Sequence, residues 1–101
     1  MSISAKSSTD GSELSICIEG RFDFSSHQEF RKAYEELGSS PNLYTVDMRE
    51  TTYLDSSALG MLLLLRDHAG GDEAKISIVN CNDDVKKILT ISNFEQLFDI
   101  H

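Results

Sequence analysis

The segment Tyr53-Leu54-Asp55-Ser56-Ser57-Ala58-Leu59-Gly60 lies between a strand region and the predicted start of a helix. Backbone N–H groups at a helix start lack partners within the helix, and the positive end of the helix dipole lies there as well. An anion is therefore favoured at this position. One N-cap residue would satisfy the helix, and capping alone usually explains a serine at such a place. Here three potential capping residues follow one another, which points to a further role for this segment.

The helix that follows is predicted to run from about Ser57 to His68, and it is apolar on almost every side. On a helical wheel one broad face must meet the sheet, and its members are Ala58, Met61, Leu62 and Leu65. Gly60 lies roughly opposite, flanked by Leu63 and Leu64. A glycine inside a helix costs about 0.5 to 1 kcal/mol relative to alanine, so Gly60 is expected to permit close approach by another chain. Gly60, Leu63 and Leu64 thus form a candidate docking surface beside Ser56.

Strands and helices alternate outward from this segment. The alternation of Glu13 to Glu19 predicts a half-buried strand, and a weaker strand near Ile3 to Ser7 closes a hairpin through Asp10-Gly11. Capping signals at Ser25 and Ser26 predict a helix that Gly38 ends. The remaining predicted elements are a strand over Leu43 to Met48, a strand over Ile76 to Val79, a helix capped by Asn82 or Asp83, and an edge strand over Leu97 to Ile100. This order predicts an α/β fold: a mixed sheet of four to five strands carrying three to four helices, in βαβαβα order after an N-terminal strand.

The loop Arg21-Phe22-Asp23-Phe24 follows the first long strand. Its two phenylalanines alternate around Asp23, so both are expected to anchor the loop and to orient that carboxylate.

Length and composition limit the class of protein. The chain of 101 residues, 40% of them hydrophobic, predicts one domain over residues 1–101. A formal net charge of -8 opposes binding to nucleic acid or to anionic lipid. The start of the chain does not resemble a signal peptide, and the apolar run from Ala58 to Leu65 is too short to span a bilayer. We therefore expect a cytoplasmic protein without a membrane segment.

The two cysteines, Cys17 and Cys81, have no metal-ligand spacing, and we expect both to be buried thiols. No metal or other cofactor is expected. An enzyme is disfavoured because the sequence lacks a G-x-S-x-G elbow and a Gly-rich phosphate loop. His68 would lie about three helical turns from Ser56, roughly 18 Å away, too far for proton transfer.

The chain resembles the STAS domains of anti-sigma factor antagonists. The resemblance is carried by Asp55-Ser56-Ser57-Ala58-Leu59-Gly60, by Gly20-Arg21-Phe22-Asp23, and by the element order over nearly the whole chain. It implies that Ser56 is phosphorylated, and that Asp23 lies nearby and assists recognition by the kinase. Asp55 and Ser57 belong to the same partner-binding region. Two departures are Ala58, where many members carry glycine, and Arg21-Phe22, where an acidic residue and leucine are common.

The resemblance also implies a cycle. The unphosphorylated protein would bind an anti-sigma factor that is itself a serine protein kinase, phosphorylation of Ser56 would release it, and a PP2C-type phosphatase would reset the switch. A monomer is expected. Two alternatives remain open: a stand-alone STAS subunit of a transport or lipid-trafficking complex, and the same switch acting on a non-sigma target such as a biofilm regulator or a cyclic-nucleotide signalling protein.

Overall fold

A computed structural model describes residues 2–35 and 41–101 of the chain. Within these ranges the chain forms a mixed sheet of six strands and three α-helices, so the predicted α/β architecture is confirmed. The strands are β1 Ser2–Ser7, β2 Glu13–Phe22, β3 Leu43–Asp47, β4 Thr51–Leu54, β5 Ile76–Val79 and β6 Asp99–Ile100. The helices are α1 His27–Glu35, α2 Ser56–His68 and α3 Asp83–Ile91. The predicted helix end at Gly38 lies outside the described residues.

The predicted hairpin of β1 and β2 is confirmed. The two strands pair in antiparallel fashion, with Ile3 opposite Ile18 and Ser7 opposite Leu14. Gly11, in the turn that joins them, has a φ of +75°, a conformation that glycine adopts without strain. The hairpin places the long strand β2 beside the edge strand β1.

The strands form the order β1-β2-β3-β5-β6, in which β2, β3, β5 and β6 are parallel neighbours. On one face of β2, Leu14, Ile16 and Ile18 are almost wholly buried and form the centre of the core. Cys17 lies on the opposite face and is exposed, so the prediction of a buried thiol is wrong there; Cys81 is half-buried. The reason is the twofold period of the strand, which directs every second side chain of β2 away from the core.

Strand β4 was not predicted, and it raises the strand count above the expected range. The first half of β2 pairs with β3 and its last residues pair with β4. Within the pairing of β2 with β4 the register shifts between Gly20 and Arg21. Gly20 has a φ of +82°, and its N–H donates to the Glu50 carbonyl over 2.9 Å. In β4 only the first and last residues, Thr51 and Leu54, are buried, so the alternation that marks a half-buried strand is missing.

Thr51 fixes β4 against the rest of the sheet. Its side chain is 1% exposed, and its hydroxyl donates a 2.8 Å hydrogen bond to the Ile18 carbonyl. The Thr51 carbonyl accepts a 3.0 Å hydrogen bond from the Asn82 amide, and Asn82 also caps α3, as predicted, by accepting from the Val85 N–H. One buried threonine therefore joins β2, β4 and the start of α3.

Helix α1 begins at His27, directly after Ser26, the second of the two predicted capping residues. A short 3-10 helix, Phe24–Ser26, comes first, and the Asp23 carboxylate caps it by accepting from the Ser25 N–H over 3.0 Å. Ser26 is buried, and its hydroxyl donates to the Arg21 carbonyl over 3.4 Å. Asp23 thus caps the short 3-10 helix that leads into α1.

Candidate partner-binding and phosphorylation site

Two parallel strand ends bring the predicted site residues together. In the pairing of β2 with β4, Arg21 lies opposite Tyr53 and Phe22 lies opposite Leu54. Asp23 and Asp55 come directly after these pairs, and both have extended backbones. The two carboxylates therefore leave the sheet side by side, as the family resemblance implied for Asp23.

Asp55 is the N-cap of α2. Its carboxylate accepts hydrogen bonds from the Ala58 N–H over 3.0 Å and from the Ser57 hydroxyl over 2.6 Å. The Ser57 hydrogen bond is the main reason why the pKa of Asp55 lies below its usual value, and the Ala58 N–H lowers it further. Partial burial and the charge of Asp23 act in the opposite direction on this pKa. Asp55 therefore remains ionised at neutral pH despite a neighbouring carboxylate.

Ser56 and Ser57 have different surroundings. Ser56 is the first residue of α2 and is exposed, whereas Ser57 is half-buried and donates its hydroxyl to Asp55. Asp55 already caps the helix, so the Ser56 hydroxyl is not needed for that purpose. Of the two serines, Ser56 is the one presented to an incoming molecule.

Asp23 is held by its own short network. Its carboxylate accepts hydrogen bonds from the N–H and the hydroxyl of Ser25, and it lies 3.5 Å from the Arg21 Nε. The Ser25 hydroxyl contributes most to lowering the pKa of Asp23, and Arg21 adds to the same effect. The Arg21 guanidinium also lies over the Tyr53 ring, 4.5 Å from its centroid, in a cation–π arrangement.

Helix α2 divides into the two faces predicted from the sequence. Ala58, Met61, Leu62 and Leu65 are buried. Leu63 and Leu64 are 41% and 53% exposed, and a Cβ added at Gly60 would meet nothing within 4 Å. The surface formed by Gly60, Leu63 and Leu64 is therefore open and partly apolar, and it begins one turn after Ser56.

Phe24 extends the exposed apolar surface near Asp23. We expected Phe22 and Phe24 to anchor the loop together, but only Phe22 is buried, and Phe24 is 71% exposed. Its ring stacks on His27 with centroids 5.6 Å apart. Phe24 is exposed because the 3-10 turn begins at this residue and directs its side chain away from the core.

The site contains three residues that the sequence analysis did not include among the site residues: Arg21, Phe24 and Tyr53. The available signal was weak: Arg21 and Tyr53 each stand two residues before an aspartate, but only the parallel pairing of β2 with the unpredicted β4 shows that they meet. Phe24 carries no sequence signal that separates an exposed phenylalanine from a buried one.

Two further classes of site find no support in the described ranges. Among residues 2–35 and 41–101 no group of three or more His, Cys, Asp or Glu side chains is arranged to hold a metal ion. Within the same ranges, no helix has the length and apolar character needed to cross a membrane.

A mixed sheet whose strand end leads through an aspartate cap into an exposed serine defines a small α/β module of the STAS type. Comparison with known families agrees, because the family model described as "Mlab, STAS domain" matches residues 5–99. The chain belongs to the STAS domain family.

A curated relative supports this membership. The chain is 65% identical over 100 residues, 99% of either chain, to a STAS-domain containing protein of Pseudomonas aeruginosa (strain UCBPP-PA14).

Solved structures share the fold at low sequence identity. The anti-sigma factor antagonist SpoIIAA in its unphosphorylated form gives a TM-score of 0.82 at 14% identity, covering 99% of this chain and 88% of that one. The phosphorylated form of the Bacillus protein SpoIIAA gives 0.68 at 12% identity, covering 99% and 91%. A sulfate transporter family protein from Wolinella succinogenes gives 0.74 at 14% identity, covering 87% and 76%. At these identities the structural likeness concerns the fold alone.

Proposed function

We propose that this protein, acting as a single domain over residues 1–101, is a partner-switching regulator controlled by phosphorylation of Ser56. The unphosphorylated form binds an anti-sigma factor that is also a serine protein kinase, or an equivalent regulator, and so releases that regulator's client. Phosphorylation abolishes the binding, and a PP2C-type phosphatase restores it. The observation that carries the proposal is the exposed Ser56 at the start of α2, next to a cap that Asp55 alone already provides.

The choice of Ser56 over Ser57 follows from the hydrogen bonds. A kinase needs a hydroxyl that can reach the γ-phosphate of its nucleotide, and Ser56 is exposed. The Ser57 hydroxyl is half-buried and bound to Asp55 over 2.6 Å, so its modification would disrupt the cap. Ser56 can accept a phosphate without any loss to the fold.

Charge provides the release mechanism. Phosphate adds about -1.5 to -2 charge at pH 7, and a helix N-terminus tolerates that charge. A partner seated over Ser56 also faces Asp23 and Asp55, and burying a dianion there without a counter-charge from the partner would cost roughly 3 to 4 kcal/mol. That penalty weakens binding by about two to three powers of ten, which is enough to exchange partners.

The proposed partner contacts lie on both sides of Ser56. Asp23 and Asp55 flank it at the strand ends, and Ser57 orients Asp55. Gly60, Leu63 and Leu64 provide an open apolar surface along α2. We propose a cytoplasmic monomer that binds its partner there, without catalysis of its own and without nucleic acid or membrane as a target.

Two alternatives keep the fold and change the client. The description of the matching family model includes the word Mlab, and a sulfate transporter family protein shares the fold, which favours a stand-alone subunit of a transport or lipid-trafficking complex as the second candidate. In that case the surface around Ser56 would be a fixed docking surface. The same switch acting on a biofilm or cyclic-nucleotide signalling protein is the other alternative.

The experiment compares four forms of the protein in pull-downs from the native cell, analysed by mass spectrometry. Ser56→Ala should retain the partner constitutively, whereas Ser56→Asp should lose it by a factor of about 100 to 1,000, as the charge penalty requires. Ser4→Asp, which adds the same charge to an exposed serine on β1, is the matched control and should bind like the parent protein.

The same samples report whether Ser56 is phosphorylated and whether the captured protein is a regulator or a transport component. Equal capture by Ser56→Ala, Ser56→Asp and the parent would reject the switch. Capture of transport subunits without phosphate on Ser56 would favour the second candidate.

A further inference from the structure

Four side chains form a group on one face of two adjacent strand ends. Side chains two residues apart on a strand project from the same face, so Arg21 and Asp23 share a face of β2, and Tyr53 and Asp55 share the matching face beside β4. The intervening residues, Phe22 and Leu54, are buried on the other side. Arg21 and Tyr53 form one row of the group, and Asp23 and Asp55 form the row closer to Ser56.

Arg21 is the cation of this group, and it is held at two points. Its Nε lies 3.5 Å from the Asp23 Oδ2, and its guanidinium carbon lies 4.5 Å above the centroid of the Tyr53 ring. The Arg21 side chain is nevertheless 65% exposed, compared with 24% for Asp23. A planar guanidinium stacked on an aromatic ring keeps its N–H edge free to pair with an anion.

The parallel pairing of β2 with β4 brings the backbone of Arg21 near that of Asp55, the residue before Ser56. Standard strand spacing and rise separate the Cα atoms of Arg21 and Asp55 by roughly 8 Å, which a long arginine side chain can span. The Asp23 carboxylate, which Arg21 already contacts, is close enough to Asp55 for its charge to act on that residue. Ser56 follows Asp55 directly, so a phosphate on its hydroxyl would enter the same electrostatic neighbourhood.

We propose that Arg21 is a positioning residue for phosphoserine at position 56, and that its guanidinium exchanges its present pairing with Asp23 for a pairing with the phosphate. This inference rests on the proposed function, because it concerns the modified form of the same site. A phosphate carries more charge than a carboxylate and offers three strong acceptor oxygens, and the arginine fork matches two of them at once. The exchange requires only rotation of an exposed side chain.

The exchange has a consequence for the switch. In the unphosphorylated form Arg21 offsets part of the charge of Asp23. After phosphorylation the guanidinium is drawn towards the phosphate, and Asp23 faces the partner with less compensation. Arg21 therefore makes phosphorylation change two positions on the docking surface, Ser56 and Asp23, instead of one.

The test uses the full chain with phosphoserine installed at position 56 during translation, and it follows the phosphate by ³¹P NMR as a function of pH. The second pKa of a phosphoserine is about 6, a nearby cation lowers it, and the carboxylates of Asp23 and Asp55 raise it. Arg21→Gln should raise the phosphate pKa by roughly one unit, the size expected for the loss of one close opposite charge. Arg21→Lys, which restores the charge without the fork, should recover part of the difference.

Arg31→Gln is the matched control. Arg31 has a similarly exposed side chain, at 60%, and it pairs with Glu35 on the outer side of α1. Its replacement should leave the phosphate titration unchanged. An Arg21→Gln titration that coincides with that of the parent protein would overturn the inference.

A second measurement needs no variant, so it remains decisive even where a substitution fails to fold. The Nε–Hε resonance of Arg21 in the parent protein should shift on phosphorylation and should follow the phosphate titration. A resonance that is the same in both forms would also overturn the inference.

Failure of this inference and failure of the proposed function give different results. The titration uses an installed phosphate and involves no kinase or partner. Mass spectrometry of the native protein reports independently whether Ser56 is modified in the cell. If Ser56 is unmodified in the cell, the proposed function is rejected even if Arg21 responds to an installed phosphate. If Ser56 is modified in the cell but the titration does not depend on Arg21, the proposed function stands and the role of Arg21 is rejected.

Discussion

Adjacent serines take up separate tasks at the start of α2. The Ser57 hydroxyl holds the Asp55 carboxylate, and that carboxylate holds the Ala58 N–H, so the helix start is complete without Ser56. Three capping residues in a row are thus one cap, one support for the cap, and one exposed hydroxyl. At this scale the sequence indicated the redundancy, but only the hydrogen bonds assign the tasks.

Replacing Ser57 should change the ionisation of Asp55. The Ser57 hydroxyl makes the largest contribution to lowering the pKa of Asp55, so Ser57→Ala should raise that pKa towards the ordinary value for aspartate. The check is an NMR titration of the Asp55 carboxyl in both forms. Ser7→Ala, a change on β1 that leaves the helix start intact, should not move it.

The sign of the accompanying stability change follows from linkage. A carboxyl whose pKa is depressed in the folded state stabilises the fold above its unfolded-state pKa, and this stabilisation is lost as the pH falls through the folded-state value. Ser57→Ala should therefore be destabilising above about pH 4, near the reference pKa of aspartate, and the difference should shrink in more acidic solution. A stability difference that grows on acidification would contradict this account.

Arg21 illustrates what residue-level prediction could not reach. Its position two residues before Asp23 is visible in the sequence. Its contact with Tyr53, 32 residues further along the chain (from 21 to 53), depends on the pairing of β2 with β4. Such a pairing is fixed by tertiary packing, so local pattern alone does not reveal it.

At the scale of the elements, alternation and capping predicted most of the fold. β2 and the buried face of α2 appear where their patterns placed them, and α3 begins after Asn82, one of its two predicted caps. β4 escaped prediction because its two middle residues are both exposed, although Thr51, Thr52 and Tyr53 are residue types that favour strands. The alternation of buried and exposed residues is not a reliable sign of a strand as short as β4, whose pairing with β2 contains a register shift.

The outer surface of α2 yields a prediction at this scale. Gly60 has open space where a side chain would begin, so Gly60→Arg should be accommodated by the fold while blocking an approaching partner. Partner binding should fall by at least tenfold. The circular dichroism spectrum should change little and the melting temperature should not fall, because arginine favours helices more than glycine does. Ser4→Arg, which adds the same single positive charge to an exposed position on β1, measures the effect of the added charge alone.

Unfolding of the Gly60→Arg protein would show that this surface belongs to the core. Unchanged binding would show that the partner docks elsewhere.

At the scale of the whole molecule, the two faces of β2 have different roles: one is buried in the core and the other is exposed. Ile16 lies at the centre of β2 and is fully buried, whereas Cys17, the next residue, is exposed on the opposite face. Ile16→Ala should lower the free energy of unfolding by about 2 to 5 kcal/mol, the usual cost of a cavity in a core. Cys17→Ser should change it by no more than about 0.5 kcal/mol.

Urea unfolding under reducing conditions measures both changes, since an exposed thiol would otherwise oxidise. Equal losses in the two variants would mean that the face of β2 bearing Cys17 is covered in solution. The sequence predicted the buried face of β2 but misplaced Cys17, because cysteine is common in cores and its residue type outweighed its position in the alternation.

Strand β2 consists of two parts that meet near Gly20 and pair with different strands. Before Gly20, β2 pairs with β1 and β3; from Gly20 onwards it pairs with the short β4 and leads to Asp23 in the proposed partner-binding site. Substitutions near the register shift between Gly20 and Arg21 can therefore change the direction of this end of β2 while its pairing with β1 and β3 stays in place. The surface around Asp23 can in this way diverge among related proteins without loss of the common fold.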